Sequence, residues 1–402
     1  MKNQLIQCLL LAIVLCSACG GENPEQTDTV IRQSTETPTD QGNEPGSSLD
    51  DWTYQSIALL QAESNTALSS IDFGDINNDG LIDLINGNLL YKAVQDDPMN
   101  WEVAAYGSEF QGIAIMYLGE ERGTGIVGLR GTKLVELLPN LDNPETMDAK
   151  VVADIPASRR NKIRQCKKAQ LIPGGAQELL ITGREGIYMV EADDMDEWSV
   201  SLIAPDANSS RFDLGDIDRD QDLDIVAAID DGGGTKVVWF ENPGDGSEYW
   251  NSHELTAVGG TVTQIGLAKL DSDDRIDLIL NSGGTEEGQN ITSYMQADTG
   301  WVKQAELLNG MDILFEIDDI DGNGTMDVTT MHTSRDGSKF CIWPNDADGK
   351  FSQVEVAALE GSPIVFRQVD IDGDGDLDVV YLVGDNEAEL AVYINGAIGK
   401  EK

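Results

Sequence analysis

The sequence has few residues that could bind nucleic acid or support common catalytic chemistry. It contains 26 Lys and Arg against 72 Asp and Glu, which gives a formal net charge of −46. Because phosphate backbones are bound by Lys and Arg, this charge balance argues against nucleic acid as a partner. There are two histidines, His253 and His332, far apart in the chain, so neither a catalytic pair nor a zinc site is indicated. No GxSxG, HExxH or P-loop pattern occurs.

Long apolar runs are also scarce, and the clearest one lies at the N-terminus. Lys2 precedes an apolar run from Leu5 to Leu15 that is too short to span a bilayer as a stable helix. Ser17 and Ala18 then stand before Cys19, and this arrangement resembles the lipobox of bacterial lipoproteins. The resemblance implies a lipoprotein signal peptide over residues 1–18 and lipidation of Cys19. The chain would then be lipid-anchored in the bacterial cell envelope, at the outer membrane, in the periplasm or on the cell surface; an ordinary secretory peptide is the alternative.

Residues 19–48 are rich in Glu, Thr, Gln, Pro, Gly and Ser. Such a composition cannot bury a core and predicts a disordered acidic and polar tether. Residues 49–402 form the folded part.

The acidic segment VDIDGDGDLDV, residues 369–379, indicates a metal-binding loop. Asp370, Asp372, Asp374 and Asp378 stand at positions 1, 3, 5 and 9 of this loop, and a glycine stands at position 6. Two carboxylates about 5 Å apart repel by about 3 kcal/mol at an effective dielectric constant of about 20. Ca²⁺ removes this repulsion, since it takes six to eight oxygen ligands from alternate residues and from a backbone carbonyl at position 7.

The same pattern recurs along the chain and predicts four well-formed Ca²⁺ sites. The fifth candidate is weaker, because Lys269 at position 1 replaces an anion with a cation. The predicted metal ligands are Asp75, Asn77, Asp79, Leu81 and Asp83; Asp216, Asp218, Asp220, Asp222 and Asp224; Asp271, Asp273 and Asp277; Asp319, Asp321, Asn323, Thr325 and Asp327; and Asp370, Asp372, Asp374, Asp376 and Asp378.

The spacing of these loops is close to fifty residues, and two degenerate copies near Leu118 and Gln170 fill the one wide gap. A repeat of this length is typical of solenoids and propellers. Each repeat contains four short strands separated by turns, which is the unit of a propeller blade. The chain starts on a fourth strand, WTYQSIALL, and ends on a third, ELAVYING. The sequence therefore predicts an all-β, seven-bladed β-propeller of four-stranded antiparallel blades, closed by the N-terminal strand, which completes the last blade.

Tryptophans recur once per repeat at the start of the predicted fourth strands, which indicates packing. These fourth strands are expected to begin near Trp52, Trp101, Val151, Trp198, Trp250, Trp301 and Phe351. Trp239 and Trp343 are expected to share one position on the third strand. Cys166 and Cys341 are expected to be packed thiols about three blades apart.

The segments FGDINNDGLIDL, LGDIDRDQDLDI and VDIDGDGDLDVV resemble FG-GAP or VCBS repeats, as found in bacterial surface proteins and in the integrin α-subunit propeller. The resemblance extends from Trp52 to the C-terminus. It implies calcium loops between the first and second strands on one face of the propeller, and ligand binding on the other face. It does not specify the ligand, because such propellers serve many functions.

Two groups of cations are candidates for ligand binding. The first group lies on the face opposite the acidic loops, in the two repeats without calcium acids, and could dock an anionic glycan or an acidic protein segment, or could simply balance neighbouring charge. It comprises Arg130, Arg159, Arg160, Lys162 and Arg184. The second group, Lys167 and Arg367, lies on predicted first strands together with Asp72, Asp213 and Glu316. These charges could bind a small ligand or could satisfy one another around trapped water.

These features favour a non-catalytic, calcium-stabilised propeller that acts as a binding, adhesion or scaffold module for a protein or glycan, with the membrane reached through the N-terminal lipid alone. The alternative is a carbohydrate-active enzyme on the same fold, such as a polysaccharide lyase. Its base, acid and anion-neutralising groups would have to come from Arg159, Arg160, Tyr188 and His332.

Overall fold

A computed structural model describes most of the chain after residue 51. The described residues are 52–61, 71–87, 89–94, 97–105, 113–120, 122–139, 147–156, 165–172, 176–183, 185–192, 197–207, 211–244, 250–284, 288–384 and 387–396. They form 27 β-strands, and no helix occurs among them. Accordingly, the described part of the chain contains no helix that could cross a membrane.

The strands pair in chain order into four-stranded antiparallel units. Unit 1 contains β2 (Ile71–Gly74), β3 (Asp83–Asn86), β4 (Leu89–Val94) and β5 (Asp97–Ala105). Unit 2 contains β6 (Ile113–Tyr117), β7 (Thr124–Arg130), β8 (Lys133–Pro139) and β9 (Met147–Asp154). Unit 3 contains β10 (Cys166–Ala169), β11 (Glu178–Thr182), β12 (Gly186–Ala192) and β13 (Trp198–Pro205). Unit 4 contains β14 (Phe212–Gly215), β15 (Asp224–Asp230), β16 (Thr235–Glu241) and β17 (Asn251–Val258).

The next seven strands form one continuous sheet that divides into two such units. Unit 5 contains β18 (Thr261–Ala268), β19 (Asp277–Gly284), β20 (Gly288–Ala297) and the first half of β21 (Gly300–Asp318). The second half of β21 begins unit 6, which continues with β22 (Asp327–Ser334), β23 (Gly337–Trp343) and β24 (Val354–Leu359). β21 pairs with β20 through residues 300–310 and with β22 through residues 311–318. One long strand therefore replaces the turn that separates the other units.

Unit 7 joins the two ends of the described chain. It contains β25 (Pro363–Val369), β26 (Asp378–Gly384), β27 (Glu387–Asn395) and, as its fourth strand, β1 (Trp52–Gln61). β1 runs antiparallel to β27, from the pair Trp52 and Asn395 to the pair Gln61 and Glu387. The N-terminal strand thus completes the last sheet, as its position in the sequence predicted.

The hydrophobic core lies between neighbouring units. Second strands such as Asp224–Asp230 are buried almost throughout because both of their faces are covered. One cluster joins Leu180 of unit 3 to Phe212 and Phe240 of unit 4. Another joins Ile320 and Phe340 of unit 6 to side chains of unit 7. Apolar side chains on both faces of the sheets therefore stack each unit on the next.

First strands of successive units also contact one another. Gly74, at the end of β2, lies so close to unit 2 that a Cβ atom there would approach Ile115 Cγ2 to 2.5 Å. The carboxamide of Gln165 bonds both backbone groups of Phe212 in the next unit, donating to its oxygen at 2.8 Å and accepting from its nitrogen at 2.9 Å. Gln264 binds the backbone of Phe315 in the same way. Small residues and amide side chains thus hold the first strands together.

The strand register confirms one prediction about the tryptophans and corrects another. Trp52 and Trp198 begin their fourth strands, Trp301 is the second residue of β21, and Trp250 directly precedes β17. Trp101 also lies opposite the end of the third strand, but it is the fifth residue of β5, which begins at Asp97. The predicted shared position of Trp239 and Trp343 is wrong. Trp343 pairs with Val328, directly after Asp327, whereas Trp239 pairs with Val226, two residues after Asp224. Because side chains alternate along a strand, these two rings face opposite sides of their sheets. In unit 2, β9 begins at Met147 and not near Val151.

Candidate metal centre

The acid at position 9 of each loop is buried and holds its unit together. Asp378 accepts the backbone N–H of Ile371 on one carboxylate oxygen at 2.9 Å and the N–H of Asn395, at the end of the third strand, on the other at 2.8 Å. Asp83, Asp224 and Asp277 make the same pair of bonds in units 1, 4 and 5. This side chain therefore ties the start of the loop to the third strand, a structural role that the sequence pattern did not reveal.

Burial raises the pKa of these carboxyl groups. The pKa rises from an ordinary 3.8 to about 6 for Asp224 and Asp277, and to about 7 for Asp327 and Asp378. The pKa of Asp83 is raised for the same reason. In each case, desolvation outweighs the backbone N–H groups that favour the charged form. A bound cation would oppose this rise by favouring the carboxylate.

The remaining loop acids accept hydrogen bonds from backbone N–H groups of their own loops in a repeated pattern. The carboxylate at position 1 accepts the N–H of position 6 in four loops, at 2.8 to 3.2 Å. The residue at position 6 has a positive φ, between 80° and 99°, in each of these four loops. Gly80, Gly324 and Gly375 adopt this conformation readily, whereas Gln221 adopts it despite its side chain.

Three of the predicted loops bring carboxylate oxygens within 4.8 Å of one another: Asp216, Asp218 and Asp224; Asp319, Asp321 and Asp327; and Asp370, Asp372 and Asp374. In the second group, Asp319 Oδ1 and Asp327 Oδ2 are buried without a hydrogen-bond partner. Closely spaced carboxylates with unpaired buried oxygens fit a hard cation such as Ca²⁺, which would supply the missing positive charge. The residues at positions 1, 3, 5 and 9, with the carbonyl at position 7, would hold it.

The other two predicted loops differ from these three. In the described structure, the 75–83 loop does not form such a carboxylate group, and a neutral residue, Asn77, stands at position 3. The 269–277 loop contains its own cations. Lys269 Nζ lies 3.1 Å from Asp274, and Arg275 pairs with Asp273 at 3.4 Å and with Asp298 at 2.6 Å. Protein cations therefore balance the acids that a metal would need there.

Units 2 and 3 lack acidic loops; unit 2 is held in another way, whereas unit 3 keeps an acid at position 9. In unit 2, Gly125 stands at the register position that the buried acid occupies in the other units. Pro139, which stands at the position of the third-strand donor, has no N–H. An ion pair between Arg122 and fully buried Glu136 links loop and third strand instead, with the guanidinium 5.5 Å from the Trp198 ring centre. In unit 3, Glu178 accepts the N–H of Leu171 at 2.7 Å. The acid at position 9 is thus kept or replaced even where a metal site is absent from the sequence.

The two first-strand cations predicted as ligand-binding residues are paired within the protein. Lys167 pairs with Asp213 of unit 4, and Arg367 Nη1 lies 2.9 Å from Glu316 Oε1 of unit 6. Lys168, which no sequence pattern distinguished, pairs with Asp72 at 2.7 Å and also donates to the Ile115 carbonyl at 2.6 Å. Burial raises the pKa of Glu316, and the positive charges of Arg367 and Lys167 partly offset the rise. The arrangement supports the mutual-pairing interpretation of these charges.

The other candidate residues predicted from the sequence do not form a common site among the described residues. Arg130 is exposed at the end of a second strand, opposite the end that bears the acidic loops. His253 is exposed on β17 and contacts Glu241 at 3.1 Å, whereas His332 is 2 % exposed on β22, where desolvation lowers its pKa. Cys166 and Cys341 are free thiols in different units. The predicted sites at Cys19, Arg159, Arg160, Lys162 and Arg184 lie outside the described residues.

The sequence and the fold both have counterparts among known proteins. Residues 319–381 match the FG-GAP-like repeat family. No curated protein matches the chain at a significant level. The match covers one repeat of the chain, and the four-stranded antiparallel units are consistent with a β-propeller built from FG-GAP-like repeats.

Two solved structures are among those that this chain resembles. A lectin from Agrocybe aegerita, solved for its recognition of non-reducing terminal N-acetylglucosamine, superposes with a TM-score of 0.53 at 18 % identity, over 79 % of this chain and 90 % of the lectin. A putative 6-phosphogluconolactonase from Bacteroides fragilis gives a TM-score of 0.48 at 14 % identity, over 79 % of this chain and 98 % of that protein. At these identities the similarity concerns the fold alone.

Proposed function

We propose that this protein is a calcium-stabilised, seven-bladed β-propeller that binds glycans without catalysis and is tethered to the bacterial cell envelope. The observation that carries the proposal is the combination of FG-GAP-type carboxylate loops with a fold shared with a glycan-binding lectin.

The closed ring is supported by contacts that return to their starting point. First strands of units 1 to 3 and of units 4 to 7 contact one another in order, and β25 of unit 7 contacts β2 of unit 1. The ion pair between Lys167 and Asp213 joins the first strands of units 3 and 4. β1 supplies the fourth strand of unit 7. In this arrangement the seven units are the blades, and no sheet edge between the chain ends is left for another chain to pair with.

Calcium binding is supported most directly in units 4, 6 and 7, where three carboxylates converge. In unit 1, Asn77 supplies a neutral oxygen, so we propose a weaker fourth site there. For the 269–277 loop, Lys269 and Arg275 favour an interpretation without metal. Extracellular modules of this kind bind Ca²⁺ with dissociation constants of about 10⁻⁴–10⁻³ M.

Glycan binding would use the face opposite the metal loops, where the second and third strands are joined. This face carries exposed Arg130, and the sequence predicts the same face for Arg159, Arg160, Lys162 and Arg184. If the predicted placement of these cations holds, they favour a glycan with anionic groups; an acidic protein segment is the alternative ligand.

A polysaccharide lyase is the alternative function. Tyr188 and His332, two of its four candidate groups, are 4 % and 2 % exposed. A general base or acid must reach its substrate within hydrogen-bond distance, so the burial of these side chains favours the binding function.

Envelope attachment rests on the N-terminal sequence. The proposal divides the chain into a signal peptide over residues 1–18, a tether over residues 19–48 and a propeller over residues 49–402, with lipid on Cys19. Metabolic labelling with a radioactive fatty acid would test it. We expect label in the wild type and none in Cys19→Ser; equal label in both would contradict the anchor.

The binding function is tested by probing a glycan array with purified protein in millimolar Ca²⁺ and in EGTA. We expect retention of a subset of glycans in Ca²⁺, with loss in EGTA accompanied by a lower melting temperature. Binding without chelator sensitivity would contradict the calcium part, and an empty array would contradict glycan recognition. Appearance of unsaturated sugar ends during incubation would favour the lyase.

A further inference from the structure

The metal loops of successive units are linked by carboxamide side chains. Asn395, at the end of the third strand of unit 7, donates from Nδ2 to the carbonyl of Ile320, in the loop of unit 6, at 3.0 Å. Asn345 of unit 6 donates to the carbonyl of Leu270, in the loop of unit 5, at 2.8 Å. Gln296 of unit 5 donates to the carbonyl of Ile217, in the loop of unit 4, at 3.3 Å. Each bridge spans about one and a half repeats of sequence.

Each of these carboxamides belongs to a residue that also contacts a buried acid. The backbone N–H groups of Gln296, Asn345 and Asn395 donate to Asp277, Asp327 and Asp378, the position-9 acids of their own units. The bridge therefore starts at the acid that fastens one loop and ends at position 2 of the preceding loop. In units 4 and 5, the N–H of that position-2 residue in turn donates to the acid of its own loop.

We infer that Gln296, Asn345 and Asn395 are positioning residues that couple the loops of units 4 to 7 into one cooperative element. A series of buried and half-buried hydrogen bonds runs from Asp224 through Ile217, Gln296, Asp277, Leu270 and Asn345 to Asp327. A second series, through Asn395, joins Ile320 in the same loop as Asp327 to Asp378. Asn345 and Asn395 are almost fully buried. Loss of one bridge would leave a carbonyl of the neighbouring loop without its partner, and that loop would open more often.

Two units carry a residue at the corresponding position that makes no bridge between units, and one of these residues provides a control. In unit 1 the corresponding residue is Ala93, which bonds Asp83 through its N–H but has no carboxamide. In unit 4 the corresponding Asn242 donates to Leu223 of its own loop at 3.2 Å. Asn242→Ala therefore removes a similar bond without removing a bridge between units.

Hydrogen exchange of the full-length protein, followed by mass spectrometry in EGTA, tests the coupling. Asn395→Ala should speed exchange in residues 319–327 of unit 6 by about fivefold or more, the factor expected for one lost hydrogen bond. Gln296→Ala, at a half-buried position that tolerates truncation better, should do the same in residues 216–224. Asn242→Ala should speed exchange in its own unit and leave residues 165–172 of unit 3 unchanged.

Ca²⁺ titration followed by the same exchange measurement gives a second readout, which rests on the proposed calcium binding. Half-maximal protection of residues 319–327 should need a severalfold higher Ca²⁺ concentration in Asn395→Ala, although Asn395 is not a ligand of that loop. If exchange in EGTA stays at the wild-type rate in the neighbouring loops of both variants, the coupling is overturned. If Ca²⁺ protects no loop of the wild type, the proposed calcium sites fail, and the EGTA experiment still decides the coupling.

Discussion

Tyr54 and Glu389, which are 335 residues apart in sequence, share a 2.6 Å hydrogen bond from the phenol to Oε1 of the carboxylate. Ser56 donates to the same oxygen at 2.6 Å. Both donors lie on β1 and the acceptor lies on β27, so these bonds fasten the N-terminal strand to the last unit. Burial and the neighbouring carboxylate raise the pKa of Tyr54, which keeps its proton available for donation.

Glu389→Gln should therefore loosen the junction between the two ends of the chain. Hydrogen bonds to charged groups contribute roughly 1.5–3 kcal/mol, and both bonds are half-buried, so we expect a loss of about 1–2 kcal/mol in the free energy of unfolding. Urea denaturation measures it. Glu306→Gln, which disrupts an exposed pair with Lys303, is the control and should change stability by less than about 0.5 kcal/mol. Equal effects of the two variants would contradict the special role of Glu389.

The acids at positions 5 and 9 should respond differently to calcium. Asp378→Ala leaves two backbone N–H groups without their acceptor and should lower the melting temperature both in Ca²⁺ and in EGTA. Asp374→Asn alters an exposed carboxylate of the cluster and should leave the melting temperature in EGTA nearly unchanged while reducing the gain from Ca²⁺. Differential scanning fluorimetry compares the four conditions. If Asp378→Ala lowers the melting temperature in Ca²⁺ but not in EGTA, Asp378 is chiefly a metal ligand.

The metal-free protein should become less stable as the pH rises from about 4 to about 7. The folded protein raises the pKa of Asp327 and Asp378 to about 7 from an ordinary 3.8. Between these values the folded state binds more protons than the unfolded state, so the free energy of unfolding falls with increasing pH. Ca²⁺ favours the deprotonated acids, and its stabilising effect should grow over the same range.

Melting temperatures at pH 5 and pH 7.5, in EGTA and in Ca²⁺, check this pH dependence. The Asp378→Asn variant removes one titrating group and should flatten the slope in EGTA. A wild-type protein whose stability in EGTA increases from pH 5 to pH 7.5 would show that other groups dominate.

Gln221→Gly should stabilise unit 4. Gln221 has φ of 80°, a left-handed conformation that costs a residue with a side chain roughly 1–2 kcal/mol, partly offset by the greater freedom of glycine in the unfolded chain. We expect a net gain of about 0.5–1 kcal/mol by urea denaturation. The matched control is Gly375→Ala, at φ of 99° with open space around a Cβ atom, which should destabilise through backbone strain alone. A loss of stability in Gln221→Gly would contradict the strain argument.

Much of the repeat architecture could be predicted because each unit repeats a local chemical pattern. Asp370, Asp372 and Asp374 alternate before an apolar strand, and this spacing indicated both the loop and the strand. The start of the chain on a fourth strand predicted the pairing of β1 with β27, which the structure confirms. The position of Trp239 relative to Trp343 was wrong, because a register shift of one residue is invisible in spacing yet reverses the side of the sheet.

The candidate site was predicted in part. The carboxylate clusters of units 4, 6 and 7 form where the sequence placed them. The double hydrogen bonding of Asp378 and the carboxamide bridge of Asn395 were missed, because their partners lie on another strand or in another unit. Lys168 was missed because its partner, Asp72, is 96 residues away in sequence.

The sequence alone determined the repeat, its strand order and the residues able to attract a cation, since these depend on the spacing of side chains within about ten residues. Only the tertiary structure decided which of those carboxylates are buried clamps, which cations are already paired, and which loops are linked to one another. These properties depend on desolvation and on contacts between units, and the local sequence determines neither.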